Sequence, residues 1–214
     1  MSNTELVFIV DRSGSMAGME SDTMGGLNSV LDQHRKADGD TTVSIVLFDD
    51  VCEVLYDRVP IENVSPLTSS QYWVRGCTAL LDAVGGSIRH IKRIRKEMPK
   101  AERADKVIFV ITTDGIENAS RIYSYEKVKG LIEKRQAKGW EFLFLGANID
   151  AAKEADRIGI TADRAETYLN DSLGSCAMYG AVATATMAMR EAPKSRIGSG
   201  WKGKILKDRK AREK

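Results

Sequence analysis

The chain of 214 residues has three cysteines, two histidines and no long apolar run, and each scarcity removes a class of function. Cys52, Cys77 and Cys176 are odd in number, widely spaced and without a C-x-x-C pair. That excludes a disulfide framework and a structural zinc site, and it predicts a reducing compartment. His34 and His90 stand alone on predicted helices, where a lone imidazole is a packed or solvated residue rather than a catalytic one. No His is placed to serve Ser13 or Ser15 as a base, and the residues around those serines do not form a nucleophile elbow, so a serine hydrolase is not indicated. Met1-Ser2-Asn3-Thr4 lacks a basic segment. The apolar run behind it is too short for a signal peptide or a membrane span, which predicts a cytoplasmic protein with no membrane partner.

What remains is the composition of a folded α/β domain: 43% hydrophobic and 29% charged residues, with no internal repeat or interdomain linker. The net charge of +2 conceals an asymmetry. From Arg190 onward there are ten Lys or Arg against three Asp or Glu, so the preceding residues carry a net −5. The chain therefore divides into a domain over residues 1–190 and a basic tail over residues 191–214. Lys194 through Lys214, with Trp201, offers phosphate contacts and one stacking ring to a nucleic acid. The plainer expectation for such a run is a solvated or disordered end.

Leu6-Val7-Phe8-Ile9-Val10 is an unbroken apolar run that stops at Asp11, with Ser13 and Ser15 following at alternate positions. The run predicts a strand buried on both faces at the centre of a parallel sheet, whose carboxyl end delivers a ligand-binding loop. Val107 to Thr113, ending at Asp114-Gly115, repeats the design, and Thr78 stands at the threshold of a helix. Each stretch alone reads equally as a turn or a helix N-cap. Together they supply two carboxylates and three hydroxyls, an oxygen-only set that suits magnesium, manganese or calcium.

Elsewhere, Leu27, Val30, Leu31 and His34 keep helical spacing over about 21–37, and Leu81, Val84, Ile88 and Ile91 do so over 78–98. Asp49-Asp50 joins strands 42–48 and 51–56 in an antiparallel hairpin at the sheet edge. Gly85-Gly86, inside the second helix, predicts a close approach of helix to sheet. Further strands are expected at 106–112, 141–146 and 166–169, with helices at 124–138, 151–158 and 172–190. The last is rich in Gly and Ala and is expected to lie close on its own sheet. The fold class is α/β: a doubly wound, mostly parallel sheet with one antiparallel edge hairpin and helices on both faces.

The three loops resemble the metal-ion-dependent adhesion site (MIDAS) of von Willebrand factor A (vWA) domains, in which an Asp-x-Ser-x-Ser loop, a Thr loop and an Asp loop hold one divalent cation. The resemblance spans about residues 4–190. It implies a Rossmann-like fold and the metal ligands Asp11, Ser13, Ser15, Thr78 and Asp114, with Mg2+, Mn2+ or Ca2+ bound. Glu117 and Asn118 follow as supporting or partner-facing residues. It further implies a non-enzymatic binding module that grips an acidic residue of a protein partner, in a larger assembly such as one built on a ring ATPase. An enzyme is the alternative. Asp11 ending a strand and Thr112-Thr113-Asp114 ending another also look like a haloacid-dehalogenase-type magnesium-dependent phosphatase, except that Ser13 stands where that family places its acid-base Asp.

Overall fold

The computed structural model describes residues 3–191 and 197–212. Its strands are β1 (Thr4–Asp11), β2 (Thr41–Phe48), β3 (Cys52–Pro60), β4 (Lys106–Thr113), β5 (Glu141–Ala147) and β6 (Ala165–Tyr168). Its helices are α1 (Glu20–Arg35), α2 (Leu80–Glu97), α3 (Tyr125–Gln136), α4 (Ala151–Arg157), α5 (Ser172–Glu191) and α6 (Gly203–Arg212). The strands form one sheet in the order β3-β2-β1-β4-β5-β6, parallel throughout except for the β2–β3 hairpin at the edge.

Alternation along β1 divides the core. Leu6, Phe8 and Val10 join one apolar layer with Leu27, Val30 and Leu31 of α1 and Met178, Val182 and Met189 of α5. Val7 and Ile9 point the other way, into a layer with Val84 and Ile88 of α2 and Val128 and Ile132 of α3. Every residue of β1 is buried, as its apolar run requires of a strand covered on both faces. Each large apolar side chain withdrawn in this way contributes about 1.5–3 kcal/mol. The chain order reverses between β2 and β4, on either side of β1, so the carboxyl ends of β1 and β4 flank the switch point where doubly wound sheets bind ligands.

Three details differ from the sequence reading. A Cβ on Gly85 would meet the ring of Tyr123 at 2.5 Å, and one on Gly86 would meet nothing, so the close approach is to the loop before α3 and not to the sheet. The small residues around α5 admit helix and loop neighbours as well as the sheet. A Cβ on Gly26 of α1 would come within 2.0 Å of Tyr179, and one on Gly174 within 2.0 Å of the Leu169 carbonyl oxygen. The basic C-terminal stretch, where described, is a packed element. Trp201 and Ile205 are 5% and 1% exposed and complete the α1–α5 layer. Amphipathic spacing explains it: Trp201 and Ile205 lie one helical turn apart and face the core, while Lys204, Lys207 and Lys210 stay exposed. Lys194 and Lys214 lie outside the described residues.

Candidate metal centre

Asp11 is the last residue of β1, and the chain beyond it turns sharply through Ser13 into a single 3-10 turn, Gly14–Met16. The turn is held by the carboxylate itself: Asp11 Oδ1 accepts the Ser13 N–H at 2.7 Å, and Oδ2 accepts the Thr113 hydroxyl of β4 at 2.6 Å. Ser13 Oγ and Ser15 Oγ lie 3.2 Å apart, and Ser15 Oγ donates to Asp114 Oδ1 at 2.6 Å. A Cβ on Gly115 would sit 3.4 Å from Thr78 Oγ1 and 3.6 Å from Ser15 Oγ, ordinary contact distances, so both hydroxyls border the same small space. All five sequence-selected residues thus meet at the switch point.

Neither serine nor threonine is spent on a helix end. Ser13 makes no side-chain cap, and the residue at the cap of α2 is Ala79, not Thr78. The first turn of α2 is satisfied from outside: Glu117 Oε2 accepts the Leu81 N–H at 2.8 Å, and Ser120 Oγ accepts the Asp82 N–H at 3.0 Å. Asn118 Oδ1 accepts the Thr78 N–H at 2.9 Å, and the Asn118 N–H donates to the Thr78 carbonyl at 3.0 Å. Glu117 and Asn118 therefore brace the Thr78 loop against the Asp114 loop, which frees the Thr78 hydroxyl.

The electrostatics are those of a site short of positive charge. Asp11 and Asp114 are 0% and 2% exposed. Burial pushes the Asp11 carboxyl up to about 6, reinforced by the neighbouring Asp114 charge and opposed by the bonds from Thr113 and Ser13. Burial also raises Asp114 against the Ser15 hydrogen bond. Asp114 Oδ2 is buried with no hydrogen-bond partner, an uncommon and costly condition for a carboxylate oxygen. Two carboxylates and three neutral hydroxyls, with one oxygen left vacant, fit a hard divalent cation and leave it electron-poor. No cluster of three or more His, Cys, Asp or Glu occurs among the described residues, consistent with a site built on hydroxyls.

No protein-family model and no curated protein sequence matches the chain. Solved structures do. Proximal thread matrix protein 1 from the mussel byssus, with a zinc-occupied MIDAS, superposes with a TM-score of 0.60 at 15% identity, over 86% of this chain and 46% of that one. A von Willebrand factor type A protein from Catenulispora acidiphila gives 0.59 at 17%, over 87% and 43%. The pilus adhesin SpaC from Lactobacillus rhamnosus GG gives 0.64 at 13%, over 89% and 30%. The chain has the vWA fold. It spans less than half the length of each of these neighbours.

Within this vWA fold the structure also reveals a frame that sequence reasoning missed. Arg12, between the two leading oxygen residues, is 0% exposed and donates from Nε to Asp49 Oδ2 at 2.8 Å. Arg75 Nε donates to the same oxygen at 2.8 Å, and Asp49 Oδ1 accepts the Val51 N–H at 2.8 Å. Backbone bonds from Arg75 N to Arg12 O (2.9 Å) and from Gly14 N to Gly76 O (3.1 Å) lace the two loops together. Gly76 takes a φ of +65° beside Asp50, where a side chain would collide with the Asp50 carboxylate. Trp73 lies under the Arg75 guanidinium at 4.3 Å. The only sequence signal was an Arg inside a buried turn with an Asp pair across the hairpin, and charge pairs 37 residues apart are not legible without the pairing of β1 with β2.

Proposed function

We propose that this vWA-fold chain is a metal-dependent binding module that captures an acidic group of a protein partner. The observation that supports it most is the orphaned Asp114 Oδ2 beside the Asp11, Ser13, Ser15 and Thr78 oxygens. Those five residues would hold the ion, and magnesium or manganese matches the donor chemistry. When bound, such an ion supplies Lewis acidity toward one further anionic oxygen. The chain's own part is to hold Asp11 through Thr113 and Ser13, to keep Thr78 free by capping α2 with Glu117, and to leave room at Gly115. Ser15 and Gly14 are exposed while Asp11 and Asp114 are buried, so the cluster opens to a visitor on its hydroxyl side. Ser13 stands where a phosphoryl-transfer enzyme of the alternative type needs a carboxylate, and its hydroxyl is engaged with Ser15, which favours binding over turnover.

A cytoplasmic setting and a role in assembling a larger complex, such as one built on a ring ATPase, belong to the same proposal. No described helix is long and apolar enough to cross a membrane. The basic tail is a weaker route to a partner than its composition suggested. Trp201 donates from Nε1 to the Asp163 carbonyl at 3.1 Å inside the fold, and Arg209 and Lys202 both pair with Glu166. The test is affinity capture from the native host with magnesium and with a chelator, comparing the natural chain with Thr78→Ala. A partner retained only by the natural chain in magnesium supports the proposal. Equal recovery in all four arms refutes it.

A further inference from the structure

At the opposite edge of the sheet the carboxyl ends of α2 and α3 converge on a second cavity of about 340 Å3. Its charged walls are all cationic: Lys92, Lys96 and Arg95 of α2, Arg103 beyond it, and Arg135 and Lys138 at the end of α3. Trp140, just before β5, forms the remaining wall. Arg95 pairs with Glu5 at 3.0 Å, a carboxylate it shares with Arg58. The other five make no ion pair within 4.0 Å among the described residues. Two helix ends present about half a negative charge each, which a single Lys or Arg apiece would answer, so five unpaired cations far exceed what the dipoles call for. The excess is sharper because the rest of the domain is acidic overall.

Two of the arginines are also held in place. Arg103 donates from Nε and Nη2 to the Met98 carbonyl at 3.1 and 2.8 Å, fixing its guanidinium across the end of α2. Arg135 lies over the Trp140 ring at 5.5 Å. Two planar guanidiniums beside three flexible ammonium groups match clustered phosphoryl oxygens better than a single carboxylate.

We infer that this cavity is a binding site for a small soluble polyphosphate, the anion of a pyrophosphate or a nucleoside di- or triphosphate. A nucleic acid fits less well. Trp140 is 7% exposed and stacked on Phe109 at 5.6 Å, so its ring is closed to a base, and the cations ring one cavity instead of tracking a strand.

The test is calorimetric titration of the full chain with tripolyphosphate in magnesium-free, chelator-containing buffer, which separates this site from the metal centre. One anion is expected to bind per chain, Lys96→Glu with Lys138→Glu is expected to weaken it at least about tenfold, and Thr78→Ala is expected to leave it unchanged. Both lysines are exposed, so the melting temperature of the double variant should match the natural chain. Adenosine triphosphate should compete with tripolyphosphate. Absence of binding at about 1 mM tripolyphosphate, unchanged affinity in the double variant, or loss in Thr78→Ala would each overturn the inference. So would tighter binding to a single-stranded oligonucleotide, or binding only to vesicles carrying phosphorylated lipid.

Discussion

Replacing Asp49 by Asn removes one negative charge from the frame behind the metal centre and leaves the shape almost unchanged. The Asp49 carboxylate is 0% exposed and receives three donors, from Arg12, Arg75 and Val51. Arg75 is more than a third exposed and can turn to water, at little cost. Arg12 cannot: its side chain is fully buried, its Nη2 already lacks a partner, and its remaining counter-ion is Glu53 at 2.7 Å, itself half exposed. Breaking a buried pair costs about 3–5 kcal/mol because the surviving charge is stranded. Glu53 offsets part of that, so the expected loss is near the lower end, about 3 kcal/mol. Urea unfolding followed by circular dichroism measures it. Because Arg12 separates Asp11 from Ser13, a magnesium titration of the same variant should also show weaker binding. A stability within about 1 kcal/mol of the natural chain would refute the reasoning, since it would mean that water reaches Arg12 and the frame carries no load.

Gly115→Ala places a methyl in contact with both Thr78 Oγ1 and Ser15 Oγ, in the space the metal would share. Manganese affinity should fall by about tenfold or more while stability changes by less than about 1 kcal/mol, measured by calorimetry and urea unfolding. Gly25 and Gly26 are adjacent in α1 and should respond oppositely. Gly25→Ala meets nothing and should stabilise by up to about 1 kcal/mol, whereas Gly26→Ala drives into Tyr179 and should destabilise by about 2–3 kcal/mol; thermal unfolding distinguishes them. His34 is 1% exposed, and burial first, then Arg190, lowers its imidazole from 6.5 to about 3. Its Nδ1 lies 3.0 Å from Arg190 Nη1, which donates to it, and its Nε2 lies 2.8 Å from Thr186 Oγ1, so the neutral ring ties α1 to α5. With the folded value depressed, the unfolded chain binds the extra proton below pH 6.5 and stability falls as pH falls. From pH 7 to 5 the difference between the natural chain and His34→Gln should shift by about 2 kcal/mol against the natural chain. A difference that stays constant with pH would show that His34 is not held neutral.

The mostly parallel sheet with its edge hairpin and the meeting of Asp11, Ser13, Ser15, Thr78 and Asp114 could be read in advance for a physical reason. Fully apolar runs such as Leu6–Val10 and Val107–Ile111 have nowhere to go but the middle of a sheet, and whatever follows them is delivered to one edge. The frame could not be read. Arg12–Asp49, Thr113–Asp11 and Glu117–Leu81 depend on which strands are neighbours and on how loops 40 or 100 residues apart are laid together. Gly85 misled because local sequence tells that a side chain is missing and not what fills the space, here Tyr123. The basic stretch misled because its charge count outweighed two apolar positions, Trp201 and Ile205, that were enough to seat a short helix.

The most direct measurement is an anomalous-difference map from a crystal of the full chain soaked in manganese. One strong peak bordered by the Ser13, Ser15 and Thr78 hydroxyls and the two carboxylates, absent from the Thr78→Ala crystal, is the predicted result. A cluster that stays as it is here, with Ser15 still donating to Asp114 and the manganese bound elsewhere or nowhere, would contradict it.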